Sequence, residues 1–135
     1  MKTVKLFETP VPSIEFLEEP NIYGRSILYN YERDGKYFRS GIKFLRVKRF
    51  TFISENISGI WYIEGIYDTL CKIENSNAVN EIIERINDER SNNELGWIFN
   101  HFMIYLDGGC YDVIAESCEE IEEQEGEWNF SCLAS

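Results

Sequence analysis

The chain has 135 residues, 44% of them apolar and 15% aromatic, which is enough for one buried core in a single domain and argues against disorder. Its formal net charge of -11 and pI near 4.5 oppose binding to nucleic acid or anionic membranes and favour a cationic protein as partner. No run reaches the roughly 18 apolar residues of a membrane span, and Met1 to Glu8 lack a signal-peptide core, so a cytoplasmic protein with reduced cysteines (Cys71, Cys110, Cys118, Cys132) is expected.

All three prolines, Pro10, Pro12 and Pro20, fall in the first twenty residues. That stretch reads as an extended lead-in, with Ile14, Phe16 and Leu17 as the residues to pin it to the core. From Asn21 to Ile53 the pattern is a hairpin turning at Asp34-Gly35, a pair that accepts positive φ. With that turn Tyr31 faces Phe38, Tyr29 faces Ser40, Ile27 faces Ile42 and Arg25 faces Phe44. The other face pairs Glu32 with Tyr37 and Asn30 with Arg39, so one side is apolar and the other mixed. The alternation slips after Phe44, which calls for a bulge near Arg46 to Lys48 or for a new strand beginning near Phe50.

Ile60 to Ile63 and Tyr67 to Ile73 read as two more strands. Val79, Ile82, Ile83 and Ile86 recur at i, i+3, i+4 and i+7 and predict a helix, with Ser76 or Asn77 as its cap and Glu81–Arg85 as a supporting pair. Asn87 to Gly96 is polar and reads as the exit loop.

Ile98 to Cys118 reads as a closing hairpin around Asp107, Gly108 and Gly109. Two registers fit. A Gly108-Gly109 turn sets Ile104 opposite Val113, His101 opposite Glu116 and Tyr105 opposite Asp112. An Asp107-Gly108 turn sets Ile104 opposite Tyr111, Phe102 opposite Val113 and His101 opposite Ile114. Both put apolar against apolar on one face. The whole predicts an α+β domain over residues 1–135, a single twisted antiparallel sheet of about five to seven strands with one main helix on one face, the face lined by Ile104, Val113 and Ile27.

Chemistry is sparse. His101 with Glu116 could serve as a general acid–base pair, since a carboxylate orients an imidazole, but a plain cross-strand pair has the same signature. The chain has no Gly-rich phosphate loop, no Gly-x-Ser-x-Gly elbow, no His-Glu-x-x-His and no Cys-x-x-Cys. Cys110 and Cys118 would stand roughly 26 Å apart along a strand, too far to share an ion. No catalytic residue, metal or cofactor is therefore expected.

Charge is more informative. Arg25 to Arg49 holds eight basic residues against two acidic ones, while Glu116 to Glu127 holds seven glutamates and no base. The acidic stretch could plug a cationic cleft, which makes Glu116, Glu119, Glu120, Glu122 and Glu123 the candidate partner-binding residues. The competing reading is a solvated tail, or a segment that neutralises the basic hairpin of its own chain.

The closing hairpin, His101-Phe102-Met103-Ile104-Tyr105 and Gly109 to Ala115, resembles that of small acidic uncharacterised bacterial proteins, as does Tyr67 to Leu70 followed by Glu74-Asn75-Ser76 and a helix. By type, a small acidic α+β protein without a catalytic signature also resembles the immunity proteins of contact-dependent and polymorphic toxin systems. That resemblance implies a non-enzymatic protein that binds and occludes one toxin domain; the abundant Tyr and Trp of the composition suit interface anchors. The alternatives are a small-ligand binder or enzyme with a pocket near His101, Tyr105 and Asp112, and a structural or regulatory subunit.

Overall fold

Asp34 and Gly35 both take positive φ, 54° and 78°, and reverse the chain between β3 (Ser26–Arg33) and β4 (Lys36–Ser54). Tyr31 lies opposite Phe38, Tyr29 opposite Ser40 and Ile27 opposite Ile42, the register read from the sequence. In the computed structural model, residues 2–54, 66–89 and 99–133 are described, the side chains of 86–89 and 132–133 excepted. The strand expected at Ile60 to Ile63 and most of the expected exit loop lie outside the described residues.

β4 runs unbroken for 19 residues because a bulge absorbs its phase slip. Arg46 takes a φ of 54°, and the pairing shifts between Val47 and Arg49. Phe44 and Phe50 consequently stay on one face, their rings edge-on at 5.9 Å.

Among the described residues the remaining strands are β1 (Thr3–Glu8), β2 (Asn21–Tyr23), β5 (Thr69–Ile73), β6 (Asn100–Leu106) and β7 (Gly109–Glu125). All join one antiparallel sheet of seven strands in the order β1-β5-β6-β7-β4-β3-β2. Leu106 pairs with Gly109, so Asp107-Gly108 is the closing turn and His101 faces Ile114. The acidic stretch is the far half of β7, laid along β4, with Glu119 opposite Lys43 and Gln124 opposite Arg39.

Ile27, Tyr29, Tyr31, Ile42, Phe44, Phe102, Ile104, Tyr111 and Val113 form the main core on one face of this sheet. The proline-rich lead-in covers it. The Thr9 amide donates to the Asp68 carbonyl at one side and the Leu17 amide to the Asn30 carbonyl at the other. Between them Val11 and Phe16 enter the core, Phe16 stacked on Tyr29 at 5.0 Å. Ile14 and Leu17 stay exposed, so Phe16 alone of the three expected residues does the pinning.

Helix α1 (Asn77–Glu89) is small and sits at the edge of the sheet, so the domain is α+β with strand predominating. It does not cover the face lined by Ile104, Val113 and Ile27. Ala78, Val79, Ile82 and Ile83 pack instead on Phe99, just before β6, and on Ile114, whose side chain lies on the face of β7 opposite to Val113. The expectation failed because β7 is apolar on both faces: Val113 and Ile114 are each almost fully buried. Among the described residues, no helix is long and apolar enough to cross a membrane.

Beyond β7 the chain turns back at Gly126 into a short helical turn, α2 (Phe130–Leu133). Asn30, 1% exposed, holds the start of this segment: its amide donates to the Trp128 carbonyl at 3.1 Å and its oxygen accepts from the Trp128 amide at 2.6 Å. The indole Nε1 donates to the Ser40 carbonyl at 2.9 Å.

Candidate functional site

His101 is fixed by the ladder between β6 and β5, where it stands opposite Ile73. Only 7% of it is exposed. Its Nε2 lies 2.8 Å from Oδ1 of Asp112, which is not its direct cross-strand neighbour but the diagonal one, two residues from Ile114. On the other side Nδ1 lies 2.7 Å from Oγ of Ser76. Ser76 precedes α1 and caps it, since its Oγ also accepts the Val79 amide hydrogen at 3.3 Å. Asp112 is met from behind by Arg49 at 3.4 Å.

A carboxylate can only accept, so the Nε2 hydrogen points to Asp112. When Nδ1 carries no proton, the Ser76 hydroxyl, already an acceptor from Val79, can give its own hydrogen to it. Burial opposes the charge on Asp112, but the hydrogen bond and electrostatic pull of His101, together with those of Arg49, outweigh it and hold the carboxyl below its ordinary range. The result is a row of Arg49, Asp112, His101 and Ser76 ending at the surface.

The row ends in a cleft of about 400 Å³ lined by Ser76, His101, Lys72, Asn80, Phe99 and Asn100. An adjoining cleft of about 540 Å³ shares Ser76 and His101 and adds Asn77 and Ala78, the first residues of α1. Tyr105 lines neither; it packs with Ile66, Cys71, Met103 and Cys110 and stacks on Tyr67 at 5.4 Å. The pocket expected near His101, Tyr105 and Asp112 thus exists at His101, with Asp112 behind it and Tyr105 elsewhere. Ser76 was legible as a cap, but nothing in the sequence linked it to His101.

The acidic candidates divide. Glu116 is 3.2 Å from Arg46, so it pairs with the bulge of β4 and not with His101. Glu123 receives both Arg33 nitrogens, at 2.5 and 3.0 Å, together with the Tyr31 hydroxyl. Those bonds, Arg33 first and Tyr31 next, hold its carboxyl below the ordinary range. Glu119, Glu120 and Glu122 are exposed and form no ion pair among the described residues. Two of the five candidates therefore serve their own chain and three face outward.

Cys71 and Cys110 are buried and Cys118 half-buried. Burial pushes the Cys110 thiol up to about 12 and that of Cys118 to about 11, which removes their nucleophilic form at neutral pH. Among the described residues no three His, Cys, Asp or Glu gather as a metal-binding group. No family model, curated protein or solved structure matches the chain.

Proposed function

We propose that the protein binds a cationic protein domain through the acidic far half of β7, and that it acts as an immunity protein occluding a bacterial toxin domain. The observation that carries this reading is the three exposed carboxylates Glu119, Glu120 and Glu122, with Glu119 and Glu120 on opposite faces of a strand already paired along its length with β4. Because the strand is held by that ladder, the carboxylates are presented from a fixed backbone, and little ordering entropy opposes docking. The net charge of -11 adds long-range attraction for a basic partner, which raises the association rate more than the final affinity. Binding and occlusion need no chemistry.

The experiment is co-purification from the native host, followed by association kinetics of the partner with Glu119→Gln/Glu120→Gln/Glu122→Gln. The expected result is a basic partner whose association slows in the variant, with the difference shrinking as salt rises. A partner that associates equally fast with both proteins at low salt removes this surface from the interface. A second reading, a small-ligand site or enzyme at His101, is favoured by one observation: the cleft that ends on the buried, doubly bonded imidazole.

A further inference from the structure

We infer that Ser76, His101 and Asp112 form a nucleophilic site for a short-chain carboxylic ester, with Ser76 as the acyl acceptor. The inference rests on the second reading, a site at His101, and is independent of the acidic surface.

A helix cap alone asks only that the Ser76 oxygen accept from the Val79 amide. It asks for no base beside that oxygen. Here the base is present at 2.7 Å, is buried, and has its far nitrogen held at 2.8 Å by a carboxylate that Arg49 steadies in turn. Nucleophile, base and orienting acid within hydrogen-bond reach of one another are the geometry of an activated serine. The ring is reversed relative to the usual order, with Nδ1 toward the hydroxyl, but either imidazole nitrogen can accept the proton. Ser76 and His101 both line the two clefts, so an ester there meets oxygen and base together. Asn77 and Ala78 line the second cleft, and their amides precede the intrahelical bond from the Asn80 amide to the Ser76 carbonyl, so they are the donors a developing oxyanion there could use.

The chemistry balances without a cofactor. The Ser76 oxygen bonds to the ester carbonyl carbon while its proton passes to Nδ1 of His101. The tetrahedral adduct collapses, the carbon–alkoxy bond breaks, and the Nδ1 proton leaves with the alcohol. Water then attacks the acyl-serine and gives one proton to Nδ1; the bond to the Ser76 oxygen breaks, and that proton returns to it as the acid departs. Asp112 stays ionised throughout and keeps the Nε2 hydrogen in place.

The test uses the isolated full chain with p-nitrophenyl acetate and a fluorophosphonate probe. The expected result is release of p-nitrophenolate and a stoichiometric phosphonyl adduct on Ser76 by peptide mass spectrometry. Ser76→Asn removes the nucleophile but keeps a capping side chain, so it should lose the adduct while melting near the wild type. Asp112→Asn should slow labelling of Ser76 at least about 100-fold, the loss expected when a base is no longer oriented. No adduct on Ser76, or equal labelling in Asp112→Asn, overturns the inference. The single histidine separates the two levels of failure. A shift of its ring resonance on adding p-nitrophenyl acetate, without an adduct, leaves a ligand cleft that lacks the chemistry; no shift and no adduct removes the His101 site altogether.

Discussion

His101 faces Ile114 across the β6–β7 ladder, yet its side chain bonds diagonally to Asp112, with Nε2 2.8 Å from Oδ1. The carboxylate is also the one that Arg49 reaches from β4, so three strands meet at this oxygen. The folded state thus keeps Asp112 ionised to lower pH than the unfolded chain does. A depressed folded pKa contributes stability that is present above the ordinary carboxylate pKa and is lost as pH falls through the lower folded value. Thermal melts across the acidic range should show Asp112→Asn flatter with pH than the wild type. Parallel curves for the two proteins would mean that the carboxylate is not coupled to folding.

The acidic strand should separate into two classes of glutamate. Glu123→Gln breaks a bidentate arginine pair and weakens the acceptor for the buried Tyr31 hydroxyl, and it should lower the melting temperature. Changing Glu119, Glu120 and Glu122 together to Gln should leave stability within about 0.5 kcal/mol, as surface substitutions usually do. Differential scanning calorimetry of both variants checks this; equal destabilisation would place all four carboxylates in the same intramolecular network.

Ile104 is fully buried between Phe102 and Leu106 in the main core. Ile104→Asp places an unpaired carboxylate there and should abolish the cooperative unfolding transition, because burying an isolated charge costs more than the roughly 5–15 kcal/mol by which a domain is stable. A circular dichroism melt with an unchanged midpoint would contradict the assignment of this face.

Asn30→Ala should release the segment after β7. It removes both hydrogen bonds to the Trp128 backbone and leaves that amide and carbonyl without their buried partner, a loss of about 1–3 kcal/mol. The readout is tryptophan fluorescence together with proteolysis after Gly126, both of which should report an exposed segment while the sheet stays folded.

What the sequence made legible was whatever one strong local signal decided. Asp34-Gly35 set a register, and with it the whole apolar face of β3 and β4. The phase slip after Phe44 located the bulge at Arg46 and Lys48. The antiparallel sheet and the start of the helix followed in the same way, but the helix runs on through Asn87, Asp88 and Glu89, which the polar composition assigned to its exit loop. The side of the sheet that takes α1 was not legible, because Val113 and Ile114 are both apolar and alternation cannot choose between two buried faces. The acidic half of β7 was not legible as a strand because glutamate is depleted in strands. Its place is set by what lies across from it, Lys43, Arg39 and the Arg33–Glu123 pair. The His101 row was hidden for a related reason: two turns fitted equally well, and the bond that formed is diagonal.

Laying β7 along β4 has a consequence for synthesis. During translation the segment from Arg25 to Arg49, with its eight bases, emerges some seventy residues before the glutamates that will lie beside it. Until then the nascent hairpin is a positively charged ribbon with β4's outer backbone groups unpaired, held close to ribosomal RNA of opposite charge. Pairing across so long a loop is slow compared with closing a hairpin. The sheet therefore cannot close until β7 has been made, and the edge of β4 stays open until then.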